Sequence, residues 1–289
     1  MRGVVTLAGE GTRMLPVTRG LRKEMLPLFY RGRDGVPVLA PVAHLVVRTL
    51  YGAGVTSITM VAGRDVEAVV RYFTPDTDLL ARHAHHQERL TETLALDEML
   101  ARLRLNWVVQ SAPRGFGNAL LEAEDSVGDS PFLLHAADAL LLEPVHGGAM
   151  KLMADLRERE KAAAVVFVRE VKDPRRYGVV EGTQAGTFRD HSFLRVTGME
   201  EKPKEPKSSW AATALYVFES GIFRALRAVD GTERELEVTS GIARLIGQGK
   251  KVLAVVSDAS KERWISVGSP EGYFEALRAS YEHSRTGAI

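Results

Sequence analysis

The chain has 289 residues, of which 45% are hydrophobic and 26% are charged, and its formal net charge is +1. A charge this close to zero excludes the globally basic proteins that bind nucleic acid or membrane surfaces, so any polyanion site must be local. The sequence has no cysteine, which excludes disulfides and cysteine-based metal or redox sites. With no evident signal peptide or membrane-spanning run, we expect a cytoplasmic protein.

The first half of the chain predicts strands that alternate with helices. Short β-branched runs that stop at glycine or a polar residue predict buried strands, and apolar residues at helical spacing predict helices. The predicted strands are residues 3–8, 55–63, 105–110 and 131–138. The predicted helices are residues 38–52, 64–73 and 117–125, and the segment 76–104 carries leucines at roughly helical spacing. This alternation indicates a parallel sheet covered by helices.

The second half is richer in strands and predicts added antiparallel structure. Its predicted strands are residues 162–171, 177–182, 194–202, 210–218 and 251–257, and its predicted helices are residues 219–229, 237–248 and 270–283. No internal repeat or low-complexity linker interrupts the pattern. We therefore expect one domain that spans residues 1–289.

The stretch after the first predicted strand concentrates glycines and cations. Gly9 and Gly11 follow the strand, Arg13 comes at once, and Lys23 lies ten residues later. In open parallel sheets, ligands bind beyond the carboxyl ends of the strands. Glycine lets backbone N–H groups approach an anion closely, and fixed cations neutralise its charge. These residues predict a polyphosphate site.

The glycines fit neither of two common phosphate-binding motifs. The sequence lacks the G-x-x-x-x-G-K-[ST] pattern of a P-loop. A dinucleotide fingerprint needs a third glycine where the chain has Met14, and it needs an acidic residue sooner than Asp65 comes. A dehydrogenase is therefore disfavoured.

The stretch from Ala8 to Pro27, here called the signature loop, resembles the signature of sugar-phosphate nucleotidyltransferases. That signature reads roughly A-G-x-G-T-R-x-x-P and then P-K-x-x-L-P, and the chain has AGEGTRMLP at 8–16 and RKEMLP at 22–27. The KEMLP form is most similar to the bacterial-type UTP–glucose-1-phosphate uridylyltransferases, and thymidylyltransferases that use dTTP are the near alternative. The resemblance implies an α/β fold of the nucleotide-diphospho-sugar transferase type, with a Rossmann-like, mixed and mostly parallel sheet flanked by helices.

The resemblance also implies a function, which is nucleotidyl transfer from a pyrimidine nucleoside triphosphate to a sugar 1-phosphate. The expected substrates are UTP and glucose 1-phosphate, and the expected cofactor is Mg²⁺. Residues 1–145 would form the nucleotide-binding half, and residues 146–289 would form the sugar-binding half with a C-terminal helix. The implied partners are these small molecules and further copies of the chain in a homodimer or homotetramer, with no nucleic acid and no membrane.

On the nucleotide side, the resemblance implies backbone and cations around the phosphates and an amide against the base. A side-chain amide presents a donor and an acceptor together, as a uracil or thymine edge requires. The implied nucleotide-binding residues are Ala8, Gly9, Gly11, Thr12, Gln110 and Gly115, and the implied catalytic cations on this side are Arg13 and Lys23.

On the sugar side, the resemblance implies a metal ligand, a sugar-binding surface and a third catalytic cation. Asp138 would hold Mg²⁺, because a carboxylate that ends an apolar strand supplies the oxygen ligand this ion prefers. Tyr177 and Gly178 would pack against the sugar ring, and Glu201 would accept hydrogen bonds from its hydroxyls. Lys202 would neutralise the sugar phosphate.

The chain departs from the family pattern at several site positions. Ser266 stands where the family has its second metal ligand, an aspartate, and a hydroxyl is a much poorer Mg²⁺ ligand. The other departures are Arg22 for a proline, Asn118 for a histidine, Ser209 for an asparagine and Ser240 for an aspartate. Two interpretations follow. The chain is an enzyme that holds its metal with one carboxylate, or it is a weakened or non-catalytic relative that binds nucleotide sugars. Asp258 is a candidate to replace the missing aspartate.

Overall fold

A computed structural model describes residues 1–83, 85, 87–229 and 235–286. The strands are β1 (Arg2–Leu7), β2 (Pro27–Arg31), β3 (Pro37–Pro41), β4 (Ser57–Ala62), β5 (Arg104–Val109), β6 (Phe132–Ala136), β7 (Ala139–Leu142), β8 (Ala164–Glu170), β9 (Gly178–Phe188), β10 (His191–Glu201), β11 (Trp210–Phe218), β12 (Val252–Val256) and β13 (Arg263–Ser266). The helices are α1 (Val42–Gly52), α2 (Glu67–Tyr72), α3 (Thr77–Arg82), α4 (Gln87–Ala101), α5 (Phe116–Leu121), α6 (Glu124–Val127), α7 (Gly148–Glu160), α8 (Gly221–Arg227), α9 (Val238–Gly247) and α10 (Pro270–Thr286).

Nine strands form one sheet in the order β5-β4-β1-β6-β11-β8-β12-β10-β9. Seven of them run in the same direction, and β10 and β11 run the opposite way. The sheet is therefore mixed and mostly parallel, which confirms the predicted fold class. The sheet crosses the middle of the chain without a break, because β6 of the first half pairs with β11 of the second half.

The two faces of the sheet carry separate hydrophobic clusters, because successive residues of a strand point to opposite faces. Val5 and Leu133 belong to the cluster that α1, α7 and α10 cover. Their neighbours Val4 and Leu134 belong to the cluster that α5, α8 and α9 cover. This helix-on-both-faces arrangement leaves the carboxyl ends of the parallel strands open to a ligand.

Two small two-stranded sheets lie outside the main sheet, one a local hairpin and the other a pairing of distant strands. Strands β2 and β3 pair with each other, and β7 pairs with β13 across more than 100 residues of sequence. The last helix, α10, then packs on β2. There, Ser280 Oγ accepts a hydrogen bond from the backbone N–H of Phe29 at 3.2 Å, and the Tyr273 hydroxyl donates to the Pro27 carbonyl at 3.2 Å.

The structure confirms most predicted elements and corrects several bounds. The helix expected over 38–52 begins at Val42, because residues 37–41 form β3 between two prolines that favour extended backbone before the helix starts. The helix expected over 117–125 is two short helices, and the strand expected over 131–138 ends at Ala136, after which β7 begins. Helix α7 and strands β2, β7 and β13 lie where no element is predicted. Among the described residues, no helix has the length and apolar character to cross a membrane.

Candidate active site

The signature loop leaves the end of β1 and folds back on itself through three single turns of 3₁₀ helix at residues 12–14, 17–19 and 23–25. Gly11 has a φ of 66°, and its carbonyl accepts a hydrogen bond from the Thr18 hydroxyl at 3.0 Å. At Gly9, a Cβ atom would lie 3.1 Å from Lys23 Nζ. The glycine therefore leaves room for the Lys23 ammonium group beside the end of β1.

Arg22, which stands where the family has a proline, ties the loop to β1. Its guanidinium donates to the Leu7 carbonyl and to the Gly9 carbonyl, the latter at 3.3 Å. Its Nε also lies 3.5 Å from the buried Glu24 carboxylate. The arginine thus takes a structural role that fixes the start and the end of the loop to one another.

Lys23 and Asp138 form an ion pair at the carboxyl edge of the sheet. Lys23 Nζ donates to Asp138 Oδ2 at 2.6 Å, and the two side chains are 13% and 28% exposed. Burial alone would raise the pKa of the Asp138 carboxyl, but Lys23, assisted by the charge of Arg13, holds that pKa below its ordinary value. Asp138 is therefore ionised at neutral pH.

Ser266 lies beside Asp138, as the resemblance implies, because β13 pairs with β7 directly after Asp138. The Ser266 hydroxyl donates to the Asp138 carbonyl at 3.1 Å and accepts from the Gly268 N–H at 3.2 Å. The first hydrogen bond links β13 to the residue before β7, and the second holds the turn between β13 and α10. The hydroxyl therefore serves the backbone at the position where the family has a carboxylate.

A cleft of about 740 Å³ opens next to this turn and collects residues from both halves of the chain. Seven residues that the sequence predicts for the site line it: Arg13, Asp138, Tyr177, Gly178, Glu201, Lys202 and Ser266. Lys23 joins them through its ion pair with Asp138. The cations expected to bind the nucleotide phosphates and the cation expected to bind the sugar phosphate therefore lie at one cleft.

The sugar-side residues are held by short-range contacts around Glu201. Lys202 Nζ lies 3.1 Å from Glu201 Oε1, and the Thr239 hydroxyl donates to Glu201 Oε2 at 3.3 Å. A Cβ on Gly178 would come within 2.7 Å of the Thr239 side chain, so only glycine fits there without a shift. The backbone N–H of Lys202 donates to the Tyr177 carbonyl at 3.0 Å, which places these residues side by side.

Gln110 and Gly115 lie beside the cleft, outside its wall. The Gln110 side chain is buried, and its Nε2 donates to Asn118 Oδ1 at 2.8 Å and to the Gly115 carbonyl at 3.4 Å. Asn118, which stands where the family has a histidine, thus fixes the orientation of the glutamine amide. Phe116, between these residues, does line the cleft. Ala8, Gly9, Gly11 and Thr12 lie on the signature loop that leads into Arg13.

Sequence reasoning misses an arginine that two aromatic rings hold in the cleft. The Arg169 guanidinium lies 4.6 Å from the centre of the Trp264 ring and 5.4 Å from that of Tyr177. Its one side-chain hydrogen bond among the described residues is a 3.4 Å contact to the Tyr177 hydroxyl. Trp264 is fixed in turn by donation from its indole N–H to the Thr213 carbonyl at 3.0 Å. The available signal was the position of Arg169 near the end of a predicted strand.

Two carboxyl groups near the site have raised pKa values. Burial raises the pKa of Glu24 to about 7 despite the nearby charges of Lys23 and Arg22. Burial, assisted by the charge of Glu201, raises the pKa of Glu237 in the cleft to about 7. Neither residue is predicted from the sequence, because burial of a glutamate depends on tertiary packing.

Few side chains near the cleft are placed to bind a divalent cation together. Among the described residues, no group of three or more histidine and carboxylate side chains comes together to form a metal site. Asp258, a candidate substitute ligand, is bound by Ser260 at 2.6 Å and by Lys261 at 3.2 Å and does not line the cleft. The described contacts of Asp258 therefore give no support to the hypothesis that it replaces the missing aspartate.

The chain is similar to known proteins along nearly its whole length. The sequence model of the nucleotidyl transferase family matches residues 2–283. A UTP–glucose-1-phosphate uridylyltransferase of Pseudomonas aeruginosa is 27% identical over 96% of this chain and 94% of that protein. One of Mycoplasma genitalium is 30% identical over 83% of this chain and 79% of that protein. A glucose-1-phosphate thymidylyltransferase of Streptomyces antibioticus is 26% identical over 98% of this chain and 67% of that protein.

Solved structures give the same result at the level of the fold. The crystal structure of a UDP-glucose pyrophosphorylase complexed with UDP-glucose superposes with a TM-score of 0.81 at 25% identity. The superposition covers 97% of this chain and 98% of that chain. A structure of apo UDP-glucose pyrophosphorylase superposes with a TM-score of 0.84 at 25% identity.

Proposed function

The chain belongs to the nucleotidyl transferase family, and from this premise we propose that it transfers the uridylyl group of UTP to glucose 1-phosphate, giving UDP-glucose and pyrophosphate. The observation that carries the proposal is the single cleft in which Arg13, the Lys23–Asp138 pair and Lys202 meet. Two anionic substrates repel each other, so an enzyme that joins them must place cations on both sides of the reacting atoms.

In the proposed reaction, a phosphate oxygen of glucose 1-phosphate attacks the α-phosphorus of UTP in line. The new phosphorus–oxygen bond forms as the bond from the α-phosphorus to the bridging oxygen breaks, and pyrophosphate leaves with that electron pair. Arg13 and Lys23 neutralise the charge that grows on the leaving phosphates. The chemistry needs positioning and charge neutralisation more than proton transfer.

Lys202 holds the attacking phosphate and is suited to this role by its partner. Burial would lower the pKa of the Lys202 ammonium, but the hydrogen bond and charge of Glu201 raise that pKa above its ordinary value. Lys202 therefore stays protonated at any physiological pH. Glu201, with its second oxygen bound by Thr239, faces the same cleft and accepts sugar hydroxyls.

Mg²⁺ is the proposed cofactor, and the residues present fit it with one protein carboxylate. Asp138 would hold the ion, because it is ionised and borders the cleft, whereas the Ser266 hydroxyl is used by the backbone. Magnesium sites commonly combine one carboxylate with substrate phosphates and water. When bound, the ion would neutralise phosphate oxygens.

A second candidate function is binding of nucleotide sugars without catalysis. The observation that favours it is Ser266, since the family position for a second metal carboxylate is filled by a hydroxyl that caps a turn. A third possibility within the same chemistry is dTTP as the triphosphate, which the thymidylyltransferase relative supports.

The test measures pyrophosphate release from UTP or dTTP with glucose 1-phosphate in the presence of Mg²⁺. We expect turnover with UTP above that with dTTP, and a loss of about 30- to 1000-fold in Lys202→Ala, which corresponds to about 2–4 kcal/mol of barrier. Lys204→Ala is the matched control, because Lys204 is exposed on the same loop and does not line the cleft. Calorimetric binding of UDP-glucose without any turnover would identify a non-catalytic binder.

Location and assembly complete the proposal. We propose a cytoplasmic protein, which the lack of cysteine supports, and a homodimer or homotetramer, which the family resemblance supports. Cell fractionation and light scattering coupled to size exclusion test the two statements separately.

A further inference from the structure

A second cavity, of about 300 Å³, lies away from the cleft between the β2–β3 hairpin, α1 and α4. None of the residues that line it also lines the cleft. Its charged lining residues are Arg33, Arg48, Arg102, Glu92 and Glu98. Three arginines face two glutamates, so the charged lining carries an excess of positive charge.

Both glutamates of this cavity are already engaged. Glu92 accepts from the Tyr30 hydroxyl and from the Arg33 backbone N–H, each at 2.6 Å. Glu98 accepts from the Arg33 side chain at 2.6 Å. The acidic side chains therefore neutralise Arg33 and orient Tyr30, and they leave the other two arginines without a hydrogen-bonded carboxylate in the described part of the chain.

Arg48 is a half-buried arginine of this cavity that has no hydrogen-bonded carboxylate among the described residues. It is half-buried on α1, and its guanidinium lies over the Tyr30 ring at 4.8 Å. Burial lowers its pKa, although the nearby Tyr30 and Glu92 oppose that effect. Partial burial of a cation without a paired anion is unfavourable, and a bound anion would remove that cost. Arg102, at the end of α4, adds a second guanidinium at the rim of the same cavity.

The other walls of the cavity suit an organic body. Tyr30, Tyr51, Leu96 and Met99 provide aromatic and apolar surface. The buried His44 has its Nδ1 bonded to the Tyr72 hydroxyl at 2.9 Å, and burial together with the charge of Arg48 lowers its pKa to about 4, so it is neutral. Pockets of this size with apolar walls and a few convergent polar groups hold small ligands.

We propose that this cavity is a second ligand site, which binds a small phosphorylated organic molecule through Arg48 and Arg102. Guanidinium groups bind phosphate oxygens with paired, charge-assisted hydrogen bonds. The aromatic and apolar walls take the organic part. The evidence for this second site does not rest on the function proposed for the cleft.

A ligand here would act on the signature loop through the backbone. The hairpin that carries Tyr30 begins at Pro27, directly after the turn that holds Lys23. The N–H of Val42, the first residue of α1, donates to the Leu26 carbonyl at 3.1 Å. Binding that ties the hairpin to α1 and α4 therefore restricts the same segment that places Lys23 beside Asp138.

The test measures binding of AMP and of inorganic phosphate by calorimetry and by ³¹P line broadening at concentrations up to about 10 mM. An Arg13→Ala and Lys202→Ala background removes a cation from each side of the cleft and so weakens phosphate binding there. In that background we expect AMP to bind, Arg48→Met to weaken the affinity about tenfold or more, and Arg102→Gln to weaken it severalfold. Arg224→Gln is the control, because Arg224 is an exposed arginine on α8.

Binding that is unchanged in both Arg48→Met and Arg102→Gln would overturn the proposal, and so would the absence of binding by either probe. Arg102 is exposed, so its variant keeps the test decisive if Arg48→Met fails to fold. Binding of inorganic phosphate with an affinity equal to that of AMP would remove the role given to the apolar walls and overturn the organic part of the proposal.

Discussion

Glu24 is a buried carboxyl group inside the signature loop, and its environment is unusual for an acid. Its side chain is 1% exposed, and neither oxygen has a hydrogen-bond partner among the described residues. The preceding Arg22 and Lys23 give it favourable charge interactions, yet burial dominates and raises its pKa to about 7. The protein therefore places a group that is close to half protonated at neutral pH next to its candidate phosphate-binding lysine.

Replacement of this group by an amide makes stability depend less on pH. Because the folded pKa of Glu24 lies above 4.5, the folded protein binds more protons than the unfolded chain between pH 4.5 and about 7, and stability falls as pH rises through that window. Glu24→Gln cannot ionise. We expect its free energy of unfolding, relative to wild type, to rise by about 3 kcal/mol from pH 5 to pH 8, as measured by urea denaturation. A difference that does not change with pH would contradict the assignment.

Arg169 is expected to bind substrate, because its guanidinium is held by two aromatic rings and faces the cleft without a carboxylate partner among the described residues. We predict that Arg169→Met raises the KM for glucose 1-phosphate about tenfold, the cost of one charged hydrogen bond. Arg159→Met is the matched control, since Arg159 stacks on Phe188 at 4.5 Å outside the cleft. An equal KM in both variants would argue against contact between Arg169 and the sugar phosphate.

For single residues, the sequence predicts those that belong to a local motif. Arg13 and Asp138 lie in the segments that leave the carboxyl ends of β1 and β6, so their place at the sheet edge could be expected. Arg169 and Glu24 could not be singled out, because what distinguishes them is the tertiary packing around the side chain. The stack on Trp264 and the burial of Glu24 depend on segments far away in sequence.

Among the elements, the close approach of α1 and α7 depends on glycine. Gly147 has a φ of 79°, and a Cβ there would lie 2.3 Å from the Thr49 carbonyl oxygen and 2.4 Å from the Ala53 nitrogen. Gly54 also has a positive φ, 88°, but nothing lies within 4 Å of the corresponding position. The two positions thus share the backbone conformation and differ in the space around it.

This pair separates the cost of conformation from the cost of packing. We predict that Gly54→Ala lowers the free energy of unfolding by about 1–2 kcal/mol, the cost of a left-handed residue with a Cβ. Gly147→Ala adds a collision with backbone and is expected to cost about 2–5 kcal/mol. Chemical denaturation of both variants measures the difference, and equal values would contradict the packing described for α7.

The pairing of β7 with β13 gives a test of the candidate metal site. In Ser266→Asp, a carboxylate replaces a hydroxyl next to the Asp138 carbonyl, so the variant gains a metal ligand and suffers repulsion when no cation is present. We expect Mg²⁺ to raise its melting temperature by at least about 3 °C more than that of wild type. Ser266→Asn, which has the same shape without the charge, is the control. A Mg²⁺ response equal to that of Ser266→Asn would argue against a cation at Asp138.

The elements show where periodicity is informative and where it is not. Strands such as β1 and β11 were predictable because each is a short apolar run with clear ends. Helix α7 has charged residues through most of its second half, and β13 is only four residues long. Both are stabilised by contacts with distant segments, and this information is absent from the local sequence.

For the whole molecule, the sheet and the last helix join the two halves. Strand β6 pairs with β11, β7 pairs with β13, and α10 packs on β2. We therefore predict one cooperative unfolding transition. Variants that keep only Trp107 or only Trp210 as the fluorescent reporter are expected to show the same midpoint, since these residues lie in different halves. Two separate midpoints would indicate that the halves unfold independently.

The packing of α10 on the first hairpin also bears on how the protein is made. A ribosome releases β2 early, yet the helix that covers it comes from residues 270–286, after every other element described here. Until that helix emerges, the side of the hairpin on which it packs has no cover, and the Phe29 N–H and the Pro27 carbonyl lack their partners on α10. The candidate site is therefore complete only after residues 270–286 have been synthesised, and a nascent chain without them exposes an apolar surface that favours aggregation.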